Sequence, residues 1–208
     1  MTEDEAKAAL DVPHGTMERI EAFVAFLAEE SERQNLVSRS SLGAVWERHI
    51  LDSAQLLRFA PTAAATWVDL GTGAGFPGLV VAALFPAHFT LVEARRLRAD
   101  FLLRSAEILG IEDRVEVLLS KVEAVPARPF DVISARAFAP LDKLLRLGAP
   151  LSTPETVWIL PKGRNAKSEL DAARASWQGE FRIEPSLTDA DAGIIVARGV
   201  KPRGKKGR

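Results

Sequence analysis

Apolar residues in the first third of the chain recur with a helical period. Met17, Ile20, Phe23, Val24 and Leu27 step by three and four, and Val45, His49 and Leu56 with their neighbours do the same. Two amphipathic helices are therefore predicted before Pro61, which closes the region. From Thr66 the texture changes to short apolar runs suited to buried strands: Thr66–Leu70, Phe89–Val92, Val115–Leu119, Phe130–Ser134, Val157–Leu160 and Ile194–Ala197. Helix-length patterns at Gly78–Leu84, Arg98–Leu109 and Leu141–Leu147 fill the gaps, and Gly110 stands where a helix-ending glycine belongs. Strand–helix alternation predicts an α/β fold with a doubly wound parallel sheet. In such sheets ligands bind beyond the carboxyl ends of the strands, near the switch in strand order. No internal repeat is present. The predicted organisation is a helical region over 1–61 packed on the core, an α/β core over 62–200 and a basic, disordered tail over 201–208.

A chain of 208 residues suits one domain that buries roughly 70% of its unfolded surface without staples. Cys is absent, which excludes a disulfide framework, a thiolate zinc site and a cysteine nucleophile. His14, His49 and His88 are far apart and make no metal-binding pair, so no metal is expected. No apolar run exceeds seven residues, the length of Leu79 to Phe85, against about 20 for a membrane span. The N-terminus is acidic where a secretion signal would be basic, so a cytoplasmic protein away from membranes is expected. Net charge is -1, but residues 1–200 hold 22 bases against 28 acids, a net of -6. This argues against a protein that coats nucleic acid with its whole surface and leaves room for a local basic footprint. The tail, with Lys201, Arg203, Lys205, Lys206 and Arg208, reads either as an arm for RNA phosphates or as a solubilising terminus. Asp189 and Asp191 read as a solvated turn rather than a metal pair.

The most informative segment is Asp69-Leu70-Gly71-Thr72-Gly73-Ala74-Gly75-Phe76-Pro77-Gly78, between a predicted strand and a predicted helix. Four glycines in eight residues are costly to order and point to positive φ angles or close approach of a ligand to backbone. A plain strand–helix turn needs only one or two. The N–H groups opening the helix suit a carboxylate or phosphate. Gly73, Gly75 and Gly78 satisfy G-x-G-x-x-G, and Glu93 lies at the end of the next strand, where a carboxylate accepts from ribose hydroxyls. Its plainer reading is a solvated strand-end acid. Two features favour S-adenosylmethionine over NAD. Asp69 lies two residues before the first glycine, where methyltransferases use a carboxylate near the amino-acid end of this cationic cofactor. The glycines also begin directly at the strand end. An NAD-dependent oxidoreductase built on the same three glycines and Glu93 is the competing reading.

With these residues in place, the chain resembles the bacterial 16S ribosomal RNA guanine-N7 methyltransferase family, also called glucose-inhibited division protein B. The resemblance rests on Asn35-Leu36-Val37-Ser38, Arg48-His49-Ile50-Leu51-Asp52-Ser53, the glycine loop with its Phe76-Pro77, Ser134-Ala135-Arg136-Ala137-Phe138-Ala139-Pro140-Leu141 and Pro161-Lys162-Gly163. It implies a class I S-adenosylmethionine-dependent methyltransferase: a Rossmann-like, mostly parallel seven-stranded sheet with an N-terminal helical extension. It implies methyl transfer from S-adenosyl-L-methionine to N7 of a guanine in the decoding-region loop of 16S rRNA, by a monomer acting on the small ribosomal subunit or an assembly intermediate. Carried over by position, it implies cofactor contacts at Gly71, Phe76, Val122, Glu123 and Arg136, the Val122-Glu123 pair holding the adenine. Leu97 and Ala192-Gly193 stand where the family often has basic residues. A non-catalytic RNA-binding assembly factor with the same fold is the second competing reading.

The residue inventory fits this chemistry. Methylation at pyrimidine C5 needs a Cys nucleophile, and exocyclic amine methyltransferases usually carry Asn/Asp-Pro-Pro-aromatic where this chain reads Ser134-Ala135-Arg136-Ala137. Guanine N7 has an exposed lone pair and no proton to remove, so no general base is required and no catalytic proton-transfer residue is nominated. Lys121, Arg136 and Lys162 fall in loops on the ligand side and read as contacts to RNA phosphates or the target base, or as ordinary surface charge. Phe138 is expected in the core, with stacking on an extruded base as its functional alternative. His49 is expected as a satisfied core histidine.

Overall fold

The computed structural model describes residues 1–204. Its frame is a seven-stranded sheet in the order β3-β2-β1-β4-β5-β7-β6. The strands are β1 (Thr66–Leu70), β2 (His88–Glu93), β3 (Val115–Leu119), β4 (Val132–Ser134), β5 (Val157–Lys162), β6 (Trp177–Pro185) and β7 (Gly193–Pro202). The pairs joining β3, β2, β1, β4 and β5 are parallel, while β7 runs antiparallel to both β5 and β6. The order reverses at β1, so the switch-point crevice opens beyond the carboxyl ends of β1 and β4.

Alternation along the strands sorts side chains onto two cores. Trp67, Phe89, Leu91, Ile159 and Val196 face one layer, covered by the N-terminal helices and by α5 (Gly78–Leu84) and α6 (Arg96–Leu109). Val68, Leu70, Ile133, Trp158, Leu160 and Ile195 face the other, covered by α7 (Leu141–Gly148) and α8 (Ala166–Ala173). The N-terminal region comprises α1 (Glu3–Leu10), α2 (His14–Gln34), α3 (Arg39–Leu42) and a helical run from Trp46 to Phe59. Thr2 and Glu5 close a capping box on α1. Phe23 of α2 meets Phe76 and Phe101 edge-on or tilted, with centroids 5.8 and 6.3 Å away, and Phe26 stacks on Phe101.

Three expectations need correction. The helix predicted around Val45–Leu56 is not one regular helix: it passes from a π turn (Trp46–Leu51) through a short α4 (Asp52–Ala54) to a 3-10 turn (Gln55–Phe59). Apolar spacing of three to four accommodates all three, so it cannot tell them apart. The strand predicted over Phe130–Ser134 forms only from Val132. The basic tail does not begin at 201: Lys201 and Pro202 pair with Gln178 and Trp177, and the Arg203 N–H donates to Ser176 O at 2.8 Å. Lys205, Lys206 and Arg208 lie outside the described residues. Among the described residues no helix is long and apolar enough to cross a membrane.

Candidate active site

The glycine loop sits at the switch point, between the end of β1 and the start of α5. Gly71, Gly73 and Gly75 have φ of 67°, 61° and 87°. At Gly73 this left-handed backbone faces open space: an added Cβ would meet nothing nearer than Arg98 Nη1 at 3.7 Å. The Gly73 N–H donates to Glu93 Oε2 at 3.1 Å, and Glu93 Oε1 accepts the Arg95 N–H at 2.8 Å. The acid at the end of β2 is therefore 6% exposed and braces the loop from the side.

Asp69, expected beside the amino-acid end of the cofactor, lies inside the protein instead, with no exposed surface. Its parity with Trp67 turns it inward. The Trp67 indole N–H donates to Ser134 Oγ at 2.9 Å, and the Ser134 hydroxyl donates to Asp69 Oδ1 at 2.6 Å. Asp69 Oδ2 accepts the Gly78 N–H at 3.2 Å. Burial pushes the Asp69 carboxyl up, against the pull of these donors. Asp69 thus ties both ends of the glycine loop and the end of β4 into one assembly.

Phe76 is likewise inside, 3% exposed, so its ring presents nothing to a ligand. His49 stacks on it with centroids 4.8 Å apart, and the Arg136 guanidinium lies 5.2 Å from its centroid. Arg136 donates to Asp52 Oδ2 at 2.9 Å, Arg48 O at 3.1 Å and His49 Nδ1 at 2.9 Å. A guanidinium can only donate, so Nδ1 is the acceptor and the imidazole hydrogen sits on Nε2. That Nε2 is buried with no partner among the described residues. His49 is therefore only half satisfied. Burial first, then the charges of Arg136 and Arg48, pushes its pKa down to about 4.

After β3, Val122 is buried and packs into the second core, while Lys121 and Glu123 are exposed. After β4, Ala137 takes a left-handed conformation at φ 52°. The Phe138 ring occupies the place a Cβ on Gly71 would need, and packs against the second core with part of its surface open. Lys162 ends β5 with its amine turned inward, 2.9 Å from both Ala139 O and Glu169 Oε2. A cleft of about 1030 Å³ opens beside this segment, between the loops after β4 and β5, the β6–β7 turn and the helical run. Arg136 and Phe138 border both it and the glycine loop. Asp52, His49 and Glu169 complete the site, although residue type and spacing give Asp52 and Glu169 no role and His49 only a place in the core. For Asp52 and His49 the signal lay in the Arg48–Ser53 segment, whereas nothing marked Glu169.

Strand order, a single reversed strand and a glycine loop at the switch point define the class I methyltransferase fold. Solved structures of that fold match: the Bacillus cereus O-methyltransferase in complex with SAH is 17% identical at TM-score 0.58, covering 85% of this chain and 90% of that one. The mitomycin 7-O-methyltransferase MmcR is 19% identical at TM-score 0.63, covering 85% and 60%. Residues 16–194 match the family model of GidB, rRNA small subunit methyltransferase G, and the chain belongs to that family. Relatives named ribosomal RNA small subunit methyltransferase G are 54% identical in Rhizorhabdus wittichii, covering 100% of this chain and 99% of the relative. The one in Erythrobacter litoralis is 52% identical, covering 95% and 97%. Membership makes the chain a methyltransferase by class and sets aside the oxidoreductase reading.

Proposed function

We propose that the protein transfers a methyl group from S-adenosyl-L-methionine to N7 of a guanine in the decoding-region loop of 16S rRNA, in the cytoplasm, as a monomer without a metal. The observation that carries this reading is the family match across residues 16–194. The site fits the cofactor: the left-handed backbone at Gly73 leaves open space where a side chain would stand, beside the Glu93 carboxylate. In this reading Gly71, Gly73 and Gly75, the Phe76 backbone, Glu93, Val122, Glu123 and Arg136 hold it. Asp69 and Phe76 act from within by shaping the loop.

When bound, the cofactor supplies an electrophilic methyl on a sulfonium. Guanine N7 brings its own lone pair, so the protein has only to align and enclose the reactants. Its own groups agree. Asp69 is buried and engaged, and His49 is neutral with Nδ1 occupied, so neither is placed as a base. Arg136 contributes a fixed positive charge at the border between loop and cleft. An RNA partner also explains a costly feature of α6. Arg95, Arg96 and Arg98 crowd its first turn with no acid there, where the helix dipole disfavours cations. Arg95 and Arg98, with Lys121, have no ion-pair partner among the described residues, and Arg98 stands beside the glycine loop at Gly73; phosphates would offset that cost.

Labelled cofactor, unmodified small subunits and mass-spectrometric mapping of the rRNA test the reading. Label at N7 of a decoding-region guanine is the expected result. Cofactor binding without transfer would instead identify a non-catalytic assembly factor.

A further inference from the structure

We propose that Lys162 and Glu169 form a clamp that positions the segment joining β4 to α7, and that Lys162 is not an anchor for RNA phosphate. The proposal rests on the methyltransferase reading and deepens it.

Lys162 is 10% exposed, with its amine shared between Ala139 O and Glu169 Oε2. The same Glu169 oxygen accepts the Leu141 N–H at 2.8 Å. One carboxylate oxygen of α8 thus gathers an ammonium from β5 and the first amide of α7, while the ammonium grips the carbonyl two residues upstream. Two of the three donors on Lys162 point into the protein. Its charge is matched by a carboxylate at contact distance, which would also repel a phosphate.

What the clamp holds is a segment that needs holding. Ala137 sits in left-handed backbone, at a cost of about 1–2 kcal/mol for a residue with a Cβ. Next to it, Phe138 lies over Gly71 and borders the cleft. The upstream end is fixed separately, by Arg136 bound to Asp52, Arg48 and His49. Lys162 and Glu169 secure the downstream end, and so set where the Phe138 ring stands between glycine loop and cleft. Both are positioning residues.

The test compares Lys162→Met, Glu169→Gln and the double variant in full-length protein. Methyl transfer to small subunits, the salt dependence of RNA binding and amide exchange at Leu141 are measured. Each single variant should lower kcat about ten- to a hundredfold, with the double no worse than the weaker single. KM for RNA and the log–log salt slope should stay at wild-type values, and Leu141 exchange should quicken in Glu169→Gln. A salt slope shallower by about 0.7–0.9 in Lys162→Met, the signature of one lost phosphate contact, with kcat kept at saturating RNA, would overturn the clamp. Should Lys162→Met not fold, the isosteric Glu169→Gln decides alone: unchanged kcat and unchanged Leu141 exchange reject the proposal. Failure of the wild type to methylate RNA would count against the functional reading only, because Leu141 exchange still reports on the clamp.

Discussion

Asp52 Oδ2 lies 2.9 Å from Arg136 Nη1, with 20% and 19% of the two side chains exposed, and so joins the N-terminal helical run to the carboxyl end of β4. The other Asp52 oxygen accepts from Gln55 and Thr188 at 2.9 Å each. One carboxylate therefore organises three neighbours from three parts of the chain.

Asp52→Ala should cost about 2 kcal/mol of stability, since it leaves a half-buried guanidinium, an amide and a hydroxyl short of an acceptor. Cofactor affinity should fall with it, because Arg136 loses the contact that orients it. Urea unfolding and calorimetric titration measure the two effects. A double-mutant cycle with Arg136→Met should return a coupling of at least about 1 kcal/mol; additive effects would refute the linkage.

Gly73→Ala separates binding from folding. The added methyl has room, so the loss of stability should be confined to the left-handed backbone, about 1–2 kcal/mol. Affinity for S-adenosylmethionine should fall more than tenfold, because the methyl stands where the ligand must approach. Gly78→Ala should do the reverse and mainly destabilise, since its Cβ would meet Leu91 and stand 2.9 Å from Asp69 Oδ2. Melting temperature and calorimetry on both variants check the contrast.

His49 makes stability depend on pH. Its folded pKa of about 4 lies below the ordinary 6.5, so the unfolded chain binds the extra proton. The stabilisation is complete above pH 6.5 and drains away as pH falls toward about 4. Between those limits His49→Gln should lose less stability than the wild type. Parallel urea midpoints for the two proteins would rule the effect out.

Replacing Arg95 and Arg98 together by Gln should weaken RNA binding and reduce the magnitude of its log–log salt slope by about 1.4–1.8, two phosphate contacts' worth. The variant should hold its melting temperature or gain a little, because both cations oppose the α6 dipole. Filter binding over a salt series gives the slope, and an unchanged slope would place the RNA elsewhere.

Much of this architecture is written in the chain at the level of period and glycine. β1, β3 and α5 begin and end where the apolar pattern places them, because each is bounded by a sharp change of composition. β6, by contrast, is an edge strand of mixed charge and partial exposure, interrupted by a register shift between Gln178 and Glu180, and it shows no clean alternation. α1 and α8 are short and polar, with one and three buried residues, too few to mark a face. In the site, the glycine loop was legible because left-handed backbone demands a particular residue. The direction of Asp69 was also legible, in its parity with Trp67, although residue type alone suggested an exposed partner for a cation. The partners of Lys162 were not, since an ion pair across a tertiary contact leaves no spacing rule behind.

The Trp67–Ser134–Asp69 sequence of contacts has a sense as well as a shape. An indole can only give, so the hydroxyl at 134 must receive from one side and pass its own hydrogen to the other, and both oxygens at 69 end as receivers. The indole end of that series is fixed, since its N–H has no lone pair to offer. Exchanging the hydroxyl for hydrogen, as Ser134→Ala would, strands an indole deep in the sheet and leaves the carboxylate that holds the far end of the glycine loop one donor short.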